Sequence, residues 1–355
     1  MRSLIFGYGI TGQSFAKYLS NKLIHFDIYD QSPIDHPNAF STLPDRKKLD
    51  SYQMVYMSPG INLRKLYPGG ELNTLRYLTD LDIFFKEDNS FKIGVTGTNG
   101  KSTCCMHLSQ LIQDSQILGN FGIPLLDAIN SGKKYSIIEL SSFQLEKMQQ
   151  NDLDYGVLLN MRSDHLDHHG SLKSYQDAKK RILQSKKSTG ENNPFFIYQE
   201  IIGKPYQGNL SHSNLINLPH RLEPCALSNG LQAINDSKST NTDSLRYALN
   251  NLPASAYQHL IIMGDPVKEQ YKDINIAGPS NVFICGKYSA SLAEKISHEN
   301  KLIFPSLEET LQHIKSLQQQ SGILFSPGHP SGEDFQNFEV RGDHFKLLVK
   351  DMFDD

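Results

Sequence analysis

Short apolar runs recur along the chain, each ending in glycine or a small polar residue and each followed by a stretch with helical spacing. Such runs read as strands buried on both faces, and their alternation with helices predicts parallel sheets in an α/β fold. Leu4-Ile5-Phe6 is the first. The glycine turn Gly7-Tyr8-Gly9-Ile10-Thr11-Gly12 follows, with a helix over 14–19 and a strand over 24–30. A second strand at 54–57 ends in Ser58-Pro59-Gly60-Ile61, a loop on the carboxyl edge of a sheet, where ligands bind. Ile93 and Val95 lie in a strand before the glycine loop Gly97-Thr98-Asn99-Gly100-Lys101-Ser102-Thr103. Residues 135–140 deliver Glu139 near a strand end, and 156–160 run into Arg162-Ser163-Asp164-His165-Leu166-Asp167-His168-His169. Strands are predicted again at 231–234, 259–263, 281–285 and 323–325, with helices around 240–252, 289–297 and 307–319.

At 355 residues the chain is expected to form two or three domains. The polar stretch Lys86-Glu87-Asp88-Asn89-Ser90 reads as a boundary, and 185–208 as a linker or a remodelled sheet edge. Three α/β units follow: 1–88, 89–216 and 217–355. A net charge of −3 gives no support for a nucleic-acid surface. Cys104, Cys105, Cys225 and Cys285 form no CxxC pair, as expected of buried thiols in a reducing cytoplasm. No apolar run reaches the roughly 20 residues needed to span a bilayer, and the first apolar run is too short for a signal sequence.

The loop at 97–103 carries the most specific chemistry. Glycines let backbone N–H groups close on an anion, and the helix that follows adds partial positive charge. Lys101 would reach the β- and γ-phosphates of a nucleotide, and the Ser102 hydroxyl would bind Mg²⁺. The first glycine of the usual four-spaced pattern falls at Val95, so the generic motif matches in part. Gly7, Gly9 and Gly12 fit a dinucleotide fingerprint, with Asp30 as the acidic residue at the next strand end. Taken alone, that motif points to NAD; a dehydrogenase, however, would explain nothing after residue 60.

Taken together, GYGITGQS (7–14), SPGI (58–61), GTNGKST (97–103), GNFGIP (119–124), ELSSFQLE (139–146), NMRSDHLDHH (160–169), YQDAKKRI (175–182), LPHRLE (218–223), INDSKSTN (234–241) and SPGHPSGEDFQNFEVRGDHF (326–345) resemble the Mur ligases of peptidoglycan synthesis. Within that family, SSFQLE and the FxNFxxRG ending favour the D-glutamate-adding branch. The resemblance implies a Rossmann-like N-terminal domain, a P-loop ATPase-like central domain with a parallel sheet, and a Rossmann-like C-terminal domain. It implies an ATP-dependent ligase joining D-glutamate to UDP-N-acetylmuramoyl-L-alanine through an acyl phosphate, in a monomer without nucleic-acid or membrane partners.

By the same resemblance, Gly97 to Thr103 with Arg221 and Asp236 would hold ATP, and Lys101, His165 and Lys179 would be catalytic. Ser102, Glu139, His165 and Lys179 would hold two Mg²⁺ ions, with Lys179 carbamylated by CO₂. Gly9, Ile10, Thr11, Gly12, Asp30, Ser58, Pro59, Gly60, Asn120, Ser141 and Gln144 would meet the UDP-sugar. Lys238, Thr240, Ser331 and Phe338 would meet D-glutamate. The pair His168-His169 reads as solvated loop histidines.

Two features depart from the family pattern. Only 41 residues separate Lys179 from Arg221, several dozen fewer than usual, and the asparagine segment that holds adenine is missing. Met263-Gly264-Asp265-Pro266-Val267-Lys268 matches the usual glycine-glycine-Asp-x-Lys loop poorly, with Lys268 one residue out of place. The shortening keeps a second reading open: a regulatory UDP-sugar-binding homologue that has lost productive ATP binding.

Overall fold

The computed structural model describes residues 2–70, 75–161, 166–228, 230–253, 256–266, 274–317 and 321–354. His165 and Lys268 therefore lie outside the described residues. The chain divides into two compact units, Met1–Ile216 and Asn217–Asp355. Both are α/β, and nearly all their strands pair in parallel.

The first unit contains two sheets. Strands β1 (Ser3–Phe6), β2 (Phe26–Tyr29), β3 (Ala39–Phe40), β4 (Val55–Met57) and β5 (Tyr77–Leu78) form one in the order β3-β2-β1-β4-β5. Strands β6 (Phe91–Thr96), β7 (Ser115–Gly119), β8 (Tyr135–Glu139), β9 (Tyr155–Leu158) and β10 (Lys187–Thr189) form the other in the order β10-β9-β6-β8-β7. In each, the first strand in sequence lies at the centre, fully buried in the case of β1, which explains its uninterrupted apolar run. The strand order reverses beside that central strand, and the glycine turns leave its carboxyl end there.

The first glycine turn is set by sterics. Gly7 has φ +95°, a conformation that side-chain-bearing residues rarely adopt. A Cβ on Gly12 would lie 2.1 Å from the Gly7 carbonyl oxygen, so the helix Ile10–Asn21 can pack on β1 only with glycine there. This helix starts four residues earlier than the pattern predicts, because Gly9 serves as its N-cap inside the turn.

Asp88 and Ser90, within the polar stretch read as a boundary, are both buried. The Lys92 ammonium donates to their two carbonyls at 2.7 and 3.0 Å, which fixes the connection between the helix Asp80–Glu87 and β6. Residues 185–208 supply the edge strand β10 and the helix Pro194–Ile202, which starts on an Asn193 cap and packs on the helix Lys101–Leu111.

The second unit is built on β11 (Glu223–Cys225), β12 (Ala233–Asn235), β13 (His259–Met263), β14 (Ile274–Asn275), β15 (Asn281–Cys285), β16 (Ile296–Ser297), β17 (Lys301–Phe304) and β18 (Ile323–Gly328). Its main sheet runs β11-β12-β18-β13-β15-β17, with only β11 antiparallel, and β14 pairs with β16. Arg341, on the helix Phe338–Phe353, is fully buried; its guanidinium donates to the Ser237 hydroxyl (3.1 Å), the Ser237 carbonyl (2.8 Å) and the His329 carbonyl (3.0 Å). One side chain therefore holds the loops after β12 and β18. Among the described residues, no helix is long and apolar enough to cross a membrane.

Two tests follow from this packing. Gly12→Ala should cost about 2–3 kcal/mol, because the methyl group meets backbone rather than a movable side chain; urea unfolding reads it. His329 is buried, and burial pushes its imidazole down to about 4. The unfolded chain therefore binds a proton near pH 6.5 that the folded chain takes up only near pH 4, so acid favours unfolding across that window. Between pH 7 and pH 5, His329→Gln should lose about 2 kcal/mol less stability than the parent.

Candidate active site

The central sheet brings the glycine loop at 97–103, a carboxylate and two lysines together at its carboxyl edge. Strand β6 ends at Thr96, and the loop enters the helix Lys101–Leu111 through Gly100, whose φ of +84° places it in the left-handed region. The loop is held from β9: the Asn160 carbonyl and side-chain oxygens accept from the Thr98 N–H, both at 3.1 Å, and that side-chain oxygen accepts from the Asn99 N–H at 3.0 Å. The Thr98 hydroxyl shares a 2.8 Å hydrogen bond with the Tyr175 phenol. Both lysines converge on one atom. Lys101 donates to the Gly97 carbonyl at 3.0 Å and to that of Thr98 at 3.1 Å, while Lys179 donates to Gly97 at 2.8 Å. Lys179 is buried, and its ammonium lies 5.0 Å from the centre of the Tyr175 ring.

Glu139 reaches the same edge by register. It pairs with Val95 of β6 and Gly119 of β7, two residues short of the loop. Its Oε1 accepts from the Asn120 side chain at 2.8 Å; its Oε2 is buried and has no hydrogen-bond partner among the described residues. A buried carboxylate oxygen left in this way costs free energy unless a cation reaches it. Ser102, buried at the start of the helix that follows the loop, carries a hydroxyl oxygen, and oxygen donors of both kinds are what a hard divalent cation prefers. Lys179 in its ammonium form does not suit a metal. Among the described residues there is no cluster of three or more His, Cys, Asp or Glu side chains able to hold one.

In the N-terminal sheet, the residues read as UDP-sugar contacts gather at the ends of β1, β2 and β4. Ser58 donates from its hydroxyl to the Gly7 carbonyl at 2.7 Å, and Asp30 accepts from the Tyr8 N–H at 2.7 Å, so both brace the glycine turn. Gly9 and Ile10 are exposed and Thr11 is half-buried on the same turn. Pro59 accepts from Lys147 at 2.8 Å, and Gly60 is exposed. Ser141 and Gln144 are joined in a capping box at the start of the helix Ser142–Lys147. Gln144 Oε1 accepts from the Ser141 N–H at 3.0 Å.

His168 and His169 are not solvated; His169 is buried. The Glu146 carboxylate lies 3.3 Å from His168 and 3.7 Å from His169, His169 shares a 2.9 Å hydrogen bond with Ser142, and Phe143 packs on both rings. Their partners come from a segment more than twenty residues away, so nothing local in the sequence reveals the burial.

In the second unit, Asp236 follows β12. Its Oδ1 accepts from the Leu222 N–H at 3.2 Å and its Oδ2 from the Ser326 hydroxyl at 2.7 Å. Burial raises its carboxyl to about 7, against the hydrogen bonds and the charges of Arg221 and Arg341. Arg221 lies between His220 and Leu222, both at positive φ, +61° and +46°. Lys238 lies 3.5 Å from the centre of the Phe338 ring, and the Phe338 carbonyl accepts from the Ser237 hydroxyl at 2.8 Å. Thr240 is half-buried on the same loop. The Ser331 hydroxyl is buried without a hydrogen-bond partner among the described residues.

Sequence reasoning missed Tyr175, Asn160 and Arg341 as individuals, although each stands in a quoted motif. For Tyr175 the signal was its spacing, four residues before Lys179 on one helix face.

Residues 95–200 match the Mur ligase middle domain family model. The UDP-N-acetylmuramoylalanine–D-glutamate ligase of Haemophilus ducreyi is 27% identical, covering 98% of this chain and 97% of its own length. The protein of that name from Buchnera aphidicola (strain Bp) is 28% identical over 98% and 97%. The Haemophilus alignment is 428 positions long against 355 residues here, so that relative carries dozens of residues without a counterpart in this chain. Among solved structures, a MurF ligase from Thermotoga maritima in complex with ADP superposes with a TM-score of 0.59, at 12% identity over 99% of this chain and 94% of that one. A pseudomurein peptide ligase type C from Methanothermus fervidus gives 0.55 at 12% identity, over 99% and 100%. The chain is therefore similar to the Mur ligases in its middle domain and, at 27–28% identity, along nearly its whole length, and it shares the fold of the solved ligases.

Proposed function

We propose that the protein is an ATP-dependent ligase that adds D-glutamate to UDP-N-acetylmuramoyl-L-alanine in peptidoglycan precursor synthesis. One observation carries the reading: two lysine side-chain nitrogens meet at the Gly97 carbonyl on a glycine-rich loop, at the sheet edge where Glu139 holds a buried carboxylate oxygen unpartnered among the described residues. The relatives named above align with nearly the whole chain, which supports the reading.

A carboxylate is a poor electrophile, so amide formation needs activation. Transfer of the γ-phosphoryl group to the carboxylate of the sugar-peptide gives an acyl phosphate. The D-glutamate amine then attacks the acyl carbon and phosphate leaves with the C–O bond. The N–H groups at the helix start hold the phosphates, with the Thr98 and Asn99 N–H groups kept on Asn160 to shape the loop, and Lys101 exchanges its loop carbonyls for the transferring oxygens. Ser102 and Glu139 would hold one Mg²⁺, and His165 with Lys179 a second; bound there, the ions neutralise phosphate charge. For Lys179 this requires carbamylation, which turns the ammonium into a carboxylate-like group and keeps one N–H for Gly97. The Gly7–Gly12 turn, Ser58 to Gly60 and Asn120 take the UDP-sugar. Arg221 and Asp236 take part in nucleotide binding. Ser331, whose hydroxyl has no partner among the described residues, suits the side-chain carboxylate of D-glutamate, with Lys238, Thr240 and the Phe338 main chain.

Phosphate release should require ATP, Mg²⁺, UDP-N-acetylmuramoyl-L-alanine and D-glutamate together; release indifferent to D-glutamate refutes the reading. Lys101→Ala should lower kcat/KM at least about 100-fold. Removing dissolved CO₂ should reduce the rate and bicarbonate restore it; no response excludes the carbamate. Calorimetry that finds no Mg-ATP binding favours the regulatory homologue instead.

A further inference from the structure

A cavity of about 440 Å³ opens beside the Ser58–Gly60 turn, within the first unit. None of the residues assigned above to nucleotide, sugar, metal or amino acid lines it. Ile61, Tyr67 and Tyr77 give it an apolar side, while Arg64, Glu146 and Lys147 bring charge to it.

Lys147 sets its chemistry. The side chain is 6% exposed and carries three N–H donors, yet among the described residues it has one acceptor, the Pro59 carbonyl at 2.8 Å. The neighbouring Glu146 carboxylate is engaged elsewhere, by Arg64 at 3.1 Å and His168 at 3.3 Å. A buried ammonium facing a cavity with donors unspent is costly, and an anion on it recovers that cost. Burial pushes the amine down to about 8, and the nearby Arg64 charge adds to this, so the Glu146 carboxylate offsets only part of the cost of the ammonium. Arg64 adds a second cation, and the aromatic side suits a ring or a hydrocarbon body.

We propose that this cavity binds a small organic anion, a carboxylate or phosphate ester with an apolar body, whose charged group sits on Lys147. Binding has a mechanical consequence. Lys147 tethers Pro59, and Ser58 in turn braces the Gly7 carbonyl. An anion takes the unspent donors first; where it also draws the ammonium off the Pro59 carbonyl, it releases the Ser58–Gly60 turn and so weakens sugar-nucleotide binding from the neighbouring cavity. Only that last effect rests on the proposed function; anion binding does not.

Phenyl phosphate titrated into the full chain by calorimetry tests this, without ATP, Mg²⁺ or D-glutamate, so a failure here is separate from a failure of the ligase reading. Saturable binding is expected in the parent and in Lys101→Gln, and binding at least tenfold weaker in Lys147→Met. Should Lys147→Met fold poorly by circular dichroism, Arg64→Gln, altered at an exposed side chain, is expected to weaken binding several-fold. Binding unchanged in the cavity variants, lost in Lys101→Gln, or absent from the parent overturns the proposal. Benzoate in place of phenyl phosphate tells a carboxylate ligand from a phosphate ester.

Discussion

The Gly97 carbonyl oxygen accepts hydrogen bonds from two ammonium groups that arrive from different helices, Lys101 and Lys179. Two like charges on one neutral acceptor repel each other, and such an arrangement favours any anion placed between them. The surrounding structure serves to hold it. Asn160 fixes the loop backbone, Tyr175 fixes the Thr98 hydroxyl and lies against the Lys179 ammonium, and the register of β6 with β8 sets Glu139 beside the loop. Parallel pairing is what makes this possible, since it turns the ends of β6, β7, β8 and β9 to a single edge.

The α/β class was legible because strands buried on both faces leave continuous apolar runs, and 259–263 and 281–285 coincide with strands of the structure. Helix boundaries were less so. The helix Ile10–Asn21 begins inside the glycine turn, where local preference predicts loop. The helix Phe338–Phe353 hides in a motif read for its chemistry, its start marked only by the Asn337 cap. In such places tertiary packing decides the outcome, and a local window does not contain it.

The candidate site divides in the same way. Glycine loops announce themselves, because few residues other than glycine tolerate the close approaches at Gly7 and Gly12 or the left-handed turn at Gly100. Partnerships across the sequence do not. Ser141-x-x-Gln144 spells a capping box as clearly as it matches a sugar contact, and the structure shows the cap. His168 and His169 look solvated in sequence because Glu146 and Phe143, which enclose them, lie in another motif. Arg341 was visible within FxNFxxRG, but its partners at Ser237 and His329 emerge only when both loops are present.

The placement of β18 bears on how the second unit is made. Although last of the strands in sequence, it lies between β12 and β13 in the middle of its sheet, and the buried guanidinium that follows it ties two loops separated by about ninety residues. During synthesis, β12, β13 and β15 emerge without the strand that joins β12 to β13, so the facing edges of these two stay open until β18 leaves the ribosome. Premature termination before β18 would yield an unzipped sheet rather than a slightly shorter one. Quality control therefore has a clear mark for incomplete copies: exposed strand edges that the finished unit covers.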